Sequence, residues 1–324
     1  MTALTPEPAL PATDRTQAVG AGARQRFRLT RRRRETLAAL FFLSPWLIGF
    51  IVFLAGPMAA SLGLSFTRYK IIQPPVWIGI DNYTRMMGDD LFYKSLRVTI
   101  TYTALSVPLG ITVALGIALL LNQTRFMSGV FRTVFYLPSV ISGVAVAIVF
   151  AWIFNHRFGI LNYFLSLIGI EGPPWLSHPR YVLWAFVLMS LWGIGTTAII
   201  FLAALQGVPA TLYEAAEIDG AGARRKFFSI TLPMISPSIL FVLIMGIIGT
   251  FQTFTQAYIM TGGGPANATL FYILYLYKNA FNWFEMGYAS ALAWVLFAII
   301  LVLTLIMLRS SSRWVYYESP GGRN

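Results

Sequence analysis

The sequence predicts an all-α integral membrane protein with six transmembrane helices. Of its 324 residues, 57% are hydrophobic and only 11% are charged. A soluble domain carries about 25% charged residues, and a helix needs about 20 apolar residues to cross a bilayer core. Six segments of that length contain no Asp, Glu, Lys or Arg. They are numbered spans 1 to 6 in chain order: 37–66, 98–124, 133–155, 181–213, 235–259 and 286–308.

The basic residues predict the orientation of these spans. Eight of the 24 Lys and Arg residues precede span 1, and bases that flank a span are retained in the cytoplasm. An even number of spans returns the C-terminus to the same side. We therefore expect four regions: a disordered basic cytoplasmic tail (1–35), span 1 with an outer loop (36–95), a five-helix core (96–309) and a cytoplasmic C-terminal tail (310–324).

Several classes of function are disfavoured by what the sequence lacks. The net charge of +12 would suit a nucleic-acid partner, but the bases flank the spans, so the lipid bilayer is the expected surface. There is no cysteine, no P-loop motif and no H-E-x-x-H motif. The only histidines, His156 and His178, fall in one outer loop and are interpreted as surface residues. We expect no enzymatic activity, metal, cofactor or nucleic acid.

The spans contain no acidic, basic or histidine side chain. Carriers coupled to protons or ions usually place carboxylates or bases inside the bilayer. If the protein moves a solute uphill, the energy is therefore expected from outside the chain, through the cytoplasmic loops.

The loop between spans 4 and 5 concentrates charge in the stretch "TLYEAAEIDGAGARRKFFSITLP", residues 211–233, which we call the cassette. Thr211 and Glu214 have the spacing of a capping box, which predicts the start of a short helix. An apolar stripe follows it. Gly220 and Gly222 can take a positive φ and turn the chain.

The basic run 224–226 begins a second short helix, and Pro233 leads into span 5. Two interpretations are open: an amphipathic loop resting on lipid headgroups, or a knuckle that docks into a cytosolic partner. Small residues such as Ala215 and Ala216 favour docking, because they let backbones approach. For Glu214 the alternatives are its own capping bond and an ion pair with the partner.

The cassette resembles the EAA loop of binding-protein-dependent ABC importer permeases. Glu-Ala-Ala at 214–216, Gly220, and Ile230-x-Leu232-Pro233 match every fixed position of that pattern. The chain is also similar to the carbohydrate-uptake branch in "LAALQGVPATLYEAAEIDGAG", "WIGIDNYTRMM" and "TGGGPANATLFYILY". The similarity runs from span 1 to span 6, and only the tails fall outside it.

This resemblance implies a MetI-like type I permease fold. It further implies a heterodimer with a second permease subunit, two ATP-binding subunits at the cassette and an extracytoplasmic sugar-binding protein. Glu214 would pair with a base in the ATPase groove, and Gly220 would form the turn. The expected ATPase-coupling residues are Glu214, Ala215, Ala216, Asp219, Gly220, Ile230, Leu232 and Pro233.

In such permeases the solute passes between the spans on either side of the EAA loop. In span 4, Met189, Gly193 and Thr196 recur at helical spacing, and span 5 repeats the pattern. The alternative for each Gly and Thr is close helix packing. The expected pathway residues are Met189, Trp192, Gly193, Thr196, Gly246, Thr250, Thr253 and Gln256, with Trp192 stacking on a sugar ring.

The favoured function is a permease subunit that imports a sugar through the bacterial inner membrane, with both termini cytoplasmic. The absence of bases in spans 4 and 5 favours a neutral sugar over the alternative, a glycerol phosphate or another small solute. Two alternatives of another class are a self-sufficient secondary carrier and a membrane anchor without a pore.

Overall fold

The computed structural model describes residues 31–123 and 128–316, so most of both predicted tails lies outside the described residues. Helix begins already at Arg31, and residues 31–35 of the predicted N-terminal tail are therefore helical. The chain divides into two units, residues 1–57 and residues 58–324, and all contacts given below lie within the second unit.

Within the described residues, four helices are long and apolar enough to cross a bilayer, and they correspond to spans 1, 2, 5 and 6. Span 1 is α1, a π-helical turn and α2: Arg31–Phe50, Ile51–Ala55 and Gly56–Ser65. Span 2 is α4, Asp90–Gln123. Span 5 joins α13 and α14, Ser236–Phe251 and Thr255–Met260. Span 6 is α16, Met286–Ser311.

Spans 3 and 4 are bent pairs, so the described part of the chain has six spans only if each pair crosses once. Span 3 turns by 95° at a break near Ser142, between α5 and α6, which are Ser128–Val140 and Gly143–Ile153. Span 4 turns by 51°. Its parts are α8, a 3₁₀ turn and α9: Pro179–Ser190, Leu191–Gly193 and Gly195–Gln206.

Short elements occupy the loops. The side of the bundle opposite the cassette is called the outer side, after the predicted orientation. On it lie strands β1 and β2, helices α3, α7 and α15, and a π-helical turn: Thr67–Arg68, Val76–Trp77, Asp81–Met87, Ile160–Leu167, Tyr272–Tyr277 and Lys278–Asn282. The cassette region contains α10, α11, a π-helical turn and α12: Ala210–Ile218, Ala223–Lys226, Phe227–Thr231 and Leu232–Met234.

Helix α4 is the centre of the bundle. Its Ala114 and Ala118 are fully buried against Ala198 and Phe201 of α9, because small side chains let membrane helices approach closely. Near the outer side the core is aromatic instead. The Tyr272 hydroxyl donates to Leu292 O at 2.9 Å, and this hydrogen bond holds α15 against α16.

The outer ends of α4, α15 and α16 are tied by a polar cluster, which we call the outer network: Arg85, Asp89, Tyr275, Glu285 and Tyr288. The Asp89 carboxylate accepts the hydroxyls of Tyr275 and Tyr288, the latter at 2.5 Å. Burial opposes its charge, but these bonds and two backbone N–H bonds outweigh burial and lower the pKa of Asp89. Burial, with the bond to Asp89, raises the pKa of Tyr275 to about 12, so its hydroxyl stays a donor. Arg85 pairs with Glu285 at 2.7 Å and lies over the Tyr288 ring.

Candidate functional site

The cassette starts with α10, which begins one residue before Thr211. The residue preceding the helix is Pro209, and no side chain caps the first turn. Thr211 therefore lies inside the helix, where its hydroxyl is too far along to serve as the cap. The predicted capping box of Thr211 and Glu214 is wrong, because Pro209 already sets the chain for helix entry.

Gly220 makes the turn that separates α10 from α11. Its φ is +74°, a left-handed conformation that side chains with a Cβ rarely adopt. The turn is closed by the N–H of Ala221, which donates to Ala216 O at 2.8 Å. Gly222 has φ −66° and needs no such freedom, so only one of the two predicted turn glycines takes a positive φ.

Two side-chain bonds set the angle between the cassette helices. Lys226 Nζ lies 2.8 Å from Glu217 Oε1 and lowers the pKa of this exposed carboxyl. The Tyr213 and Thr231 hydroxyls lie 2.9 Å apart. These bonds join α10 to α11 and to the π-helical turn, so the cassette keeps its shape with few buried contacts.

The eight predicted coupling residues fall into two groups. The residues around the knuckle are exposed or half-buried: Glu214, Ala215, Ala216, Asp219 and Gly220. The remaining three, Ile230, Leu232 and Pro233, are half-buried in the connection to α13. Sequence reasoning missed Ile218, which is 87% exposed at the end of α10. This side chain is available to any partner that docks on the cassette.

All eight predicted pathway residues line two neighbouring cavities. The first cavity has about 610 Å³ and includes Gly193, Thr196, Gly246 and Thr250 in its wall. The second has about 340 Å³. It is lined by the other four residues, again with Gly193 and Thr196: Met189, Trp192, Thr253 and Gln256. Among the described residues, no Asp, Glu, Lys, Arg or His lines either cavity.

The helical faces that led to these residues are interrupted in the structure. Met189 belongs to α8 and Thr196 to α9, on opposite sides of the bend in span 4. Thr253 lies beyond the end of α13, and Gln256 belongs to α14. The prediction of one continuous face on each span is therefore wrong, although the breaks leave the same residues around the cavities.

Two of the predicted pathway residues also pack helices closely together, which was the alternative role for each Gly and Thr. The Thr250 hydroxyl accepts from Thr103 at 2.9 Å and donates to Gly246 O at 2.8 Å. A Cβ on Gly246 would lie 3.2 Å from a methyl group of Val107. Gly246 and Thr250 thus hold α13 against α4 as well as bordering the cavity.

Sequence reasoning missed the contributions of spans 2 and 3 to the cavities. Tyr102 and Ser106 of α4 reach the walls, as do Ser139 and Gly143 at the bend of span 3. The Ser106 hydroxyl is buried near Tyr102, and no group in the described part of the chain meets it at hydrogen-bond geometry. Such a group suits a site that receives a polar ligand.

Comparison with known proteins places this geometry in a family. Residues 106–315 match the model "Binding-protein-dependent transport system inner membrane component". The chain is 47% identical to the "Probable ABC transporter permease protein YesP" of Bacillus subtilis, over 89% of this chain and 94% of that protein. It is 36% identical to the "Sulfoquinovosyl glycerol transport system permease protein SmoG" of Agrobacterium fabrum, over 85% of this chain and 90% of that protein.

A solved structure has the same fold. It is a chain of a bacterial alginate ABC transporter in complex with an alginate pentasaccharide-bound periplasmic protein. The TM-score is 0.78 at 25% identity, over 88% of this chain and 98% of that one. These matches confirm two predictions. The chain has the MetI-like permease fold, and its family is a membrane transport component and not an enzyme. The chain belongs to the family of binding-protein-dependent transport system inner membrane components.

Proposed function

We propose that the chain is the transmembrane subunit of an ABC sugar importer, and that its cassette is the element that partner ATPases move. The observation that carries this proposal is the exposed knuckle around Gly220. It combines a left-handed turn, the spacing of the EAA pattern and the exposed Ile218 on a loop between two spans. Glu214 is exposed there, and no described side chain pairs with it.

The cavity walls support a second permease as the partner within the membrane. Phe241 and Met245 line the larger cavity and are exposed, while Trp192 beside the smaller one is 50% exposed. Apolar walls next to hydroxyl groups suit a pathway that is closed by another subunit. The heterodimer contributes the opposite wall, and each subunit presents one cassette to one ATPase.

A sugar is the solute class that these walls fit. Trp192 offers a ring for stacking, and Thr196, Thr253 and Gln256 offer hydrogen bonds to hydroxyl groups. The relative SmoG is named for sulfoquinovosyl glycerol, and the structural neighbour transports alginate. A neutral sugar fits this chain's walls better than a glycerol phosphate, because no cationic side chain of residues 31–123 or 128–316 lines either cavity.

The orientation follows from the same assignment. The ATPases are cytoplasmic, so the cassette and both termini lie in the cytoplasm, and the binding protein docks on the outer side. The eight basic residues before span 1 agree with this orientation.

The test is uptake of the radiolabelled ligand of the cognate binding protein. We expect uptake to be lost when the gene of this chain is deleted, and to be restored by the wild-type chain but not by Glu214→Lys. The exposed Asp90→Asn variant, on the outer side, is the matched control and restores uptake. The purified chain alone should neither hydrolyse ATP nor accumulate sugar in vesicles.

Each alternative has its own outcome. Accumulation by the chain alone, driven by an ion gradient, would establish a secondary carrier and overturn the proposal. Normal uptake after deletion would leave only the role of an anchor without a pore.

A further inference from the structure

A polar cavity of about 460 Å³ lies on the outer side and is separate from the solute cavities. Its charged lining consists of three bases and two carboxylates: Arg68, Lys70, Arg85, Asp81 and Glu285. The uncharged lining residues are Tyr69, Ile78, Asn82 and Tyr288. Arg85 is engaged by Glu285 at 2.7 Å. Arg68 and Lys70 are exposed, and within the described part of the chain no carboxylate pairs with them. The cavity thus keeps one unbalanced positive charge.

The position of this cavity relative to the bilayer is fixed by the ends of two spans. The apolar helix of span 1 ends at Ser65, and β1 with Arg68 follows within three residues. Span 6 starts at Met286, and the N–H of Gly287 donates to Tyr69 O at 3.2 Å. A cavity walled by the first residues beyond two spans lies at the level of the lipid headgroups.

The β1–β2 hairpin beside the cavity carries exposed apolar side chains. Ile71 and Ile72 lie in its loop, and Val76 and Trp77 form β2; Ile72 is 93% exposed. The hairpin is held rigidly, since Asn82 Nδ2 donates to the carbonyls of Ser65 and Thr67 at 2.8 and 2.9 Å. Apolar and aromatic side chains beside bases are the composition of an interfacial membrane anchor.

We propose that this cavity binds the headgroup phosphate of an anionic phospholipid of the outer leaflet, while the hairpin tip inserts among the acyl chains. Arg68 and Lys70 hold the phosphate oxygens. Arg85 lines the same cavity and stays paired with Glu285. The bound lipid pins the outer ends of spans 1 and 6, which lie away from the two solute cavities. This assignment does not depend on the transported solute or on the ATPases.

The test uses the full-length chain in nanodiscs and counts retained lipid by native mass spectrometry, with phosphatidylglycerol and phosphatidylethanolamine as the probes. We expect Arg68→Gln with Lys70→Gln to weaken phosphatidylglycerol binding about 25-fold, since each base near anionic lipid contributes roughly a fivefold factor. The matched control is Lys94→Gln with Arg97→Gln, which removes two exposed charges at the start of α4 outside the cavity. It should weaken binding less than the change at Arg68 and Lys70, because neither base lines the cavity.

A charge-preserving exchange, Arg68→Lys with Lys70→Arg, separates loss of binding from misfolding and should retain the lipid. Because the chain has no cysteine, a spin label on Ile72→Cys also reports whether the hairpin tip contacts acyl chains. Equal retention of phosphatidylglycerol by the wild type and the Gln variant would overturn the proposal. So would a Gln variant that keeps its lipid but no longer binds the extracytoplasmic binding protein, because the cavity would then be a protein contact.

Discussion

The outer network and the cassette are both charged segments at the ends of spans, but they are stabilised in opposite ways. In the outer network, Asp89 is held by two tyrosine hydroxyls and two backbone N–H groups, and its neighbours Tyr275 and Tyr288 are buried. In the cassette, one ion pair near the surface joins α10 to α11, and one hydroxyl contact joins α10 to the π-helical turn. Ile218 is 87% exposed.

This difference indicates which end of the molecule is fixed by its own contacts and which is left for a partner. A network of buried, satisfied polar groups holds one arrangement and resists change. A cassette with few internal contacts can be stabilised by whatever docks on it. The four changes below test this contrast, in order of decreasing expected effect.

The largest effect is expected for Gly220→Val. A β-branched residue is a severe outlier at φ +74°, and even an ordinary residue loses about 1–2 kcal/mol there. We expect the knuckle to change shape and sugar uptake to be lost, while ATP hydrolysis by the assembled complex becomes uncoupled from it. Uptake and ATPase rates in proteoliposomes measure this.

Gly222→Ala is the matched control for that change, because its φ is −66° and a Cβ there meets nothing within 4 Å. Sugar uptake with Gly220→Asn should lie between that of the wild type and that of Gly220→Val, since Asn tolerates the left-handed region. Unchanged uptake with Gly220→Val would contradict the role of the cassette.

The second effect concerns Asp89→Asn, which removes the charge at the centre of the outer network. Hydrogen bonds to charged groups contribute about 1.5–3 kcal/mol each, so we expect the free energy of unfolding to fall by about 2 kcal/mol at neutral pH. Thermal unfolding in detergent measures it. The neighbouring exposed Asp90→Asn, with no partner among the described side chains, should leave the melting temperature unchanged.

The pH dependence gives the same prediction a second readout. The folded-state pKa of Asp89 lies below the ordinary value of 3.8, so its contribution is complete above that value and is lost as the pH falls through the folded pKa. The difference in the free energy of unfolding between the wild type and Asp89→Asn should therefore become smaller only below about pH 4. A difference that narrows between pH 5 and 8 would assign the effect to another group.

The third change, Gly287→Ala, tests the packing of the outer hairpin on span 6. A Cβ on Gly287 would collide with the Thr67 carbonyl and approach the Tyr69 nitrogen at 3.0 Å. Overpacking of this kind costs about 1–3 kcal/mol, which a lower melting temperature would show. The same methyl group at Gly222 in the cassette should cost little. Equal effects at both glycines would remove the contrast between the two regions.

The smallest effect is expected for Glu217→Gln, which breaks the ion pair with Lys226. Both groups are near the surface, where such pairs contribute little to folding. We expect an unchanged melting temperature and a modest change in coupling, because the angle between α10 and α11 loses one constraint. A large loss of stability would show that the cassette is held by its own contacts after all.

The sequence was sufficient to predict spans 1, 2, 5 and 6 and the turn of the cassette at Gly220, because these depend on local patterns. Charge-free stretches of bilayer length fix the spans, and the left-handed turn at Gly220 follows from the absence of a Cβ. The bends in spans 3 and 4 were not predicted. Pro138 and the glycines around Ile194 were visible signals, but whether such residues break a helix depends on neighbours that the sequence does not place.

The candidate site was predicted only in part for the same reason. Thr196 and Thr253 were found from their spacing, yet they meet at the smaller cavity because helices break beside them. Neither the role of Ser106 nor the outer network was predicted. The local sequence around a serine in span 2 or an aspartate in a loop does not indicate which distant residues it will contact. The capping box failed because Pro209 started the helix earlier.

The central claim is that ATPase subunits bind the cassette in the cytoplasm. Labelling of Ile218→Cys in membrane vesicles tests it most directly. The chain contains no cysteine, so an impermeant maleimide reports this position alone. We predict labelling from the cytoplasmic side when the ATPase subunits are absent and protection when they are present, while the exposed Gln123→Cys at the end of α4 stays reactive in both. Labelling from the outer side, or equal labelling with and without the ATPases, would contradict the account.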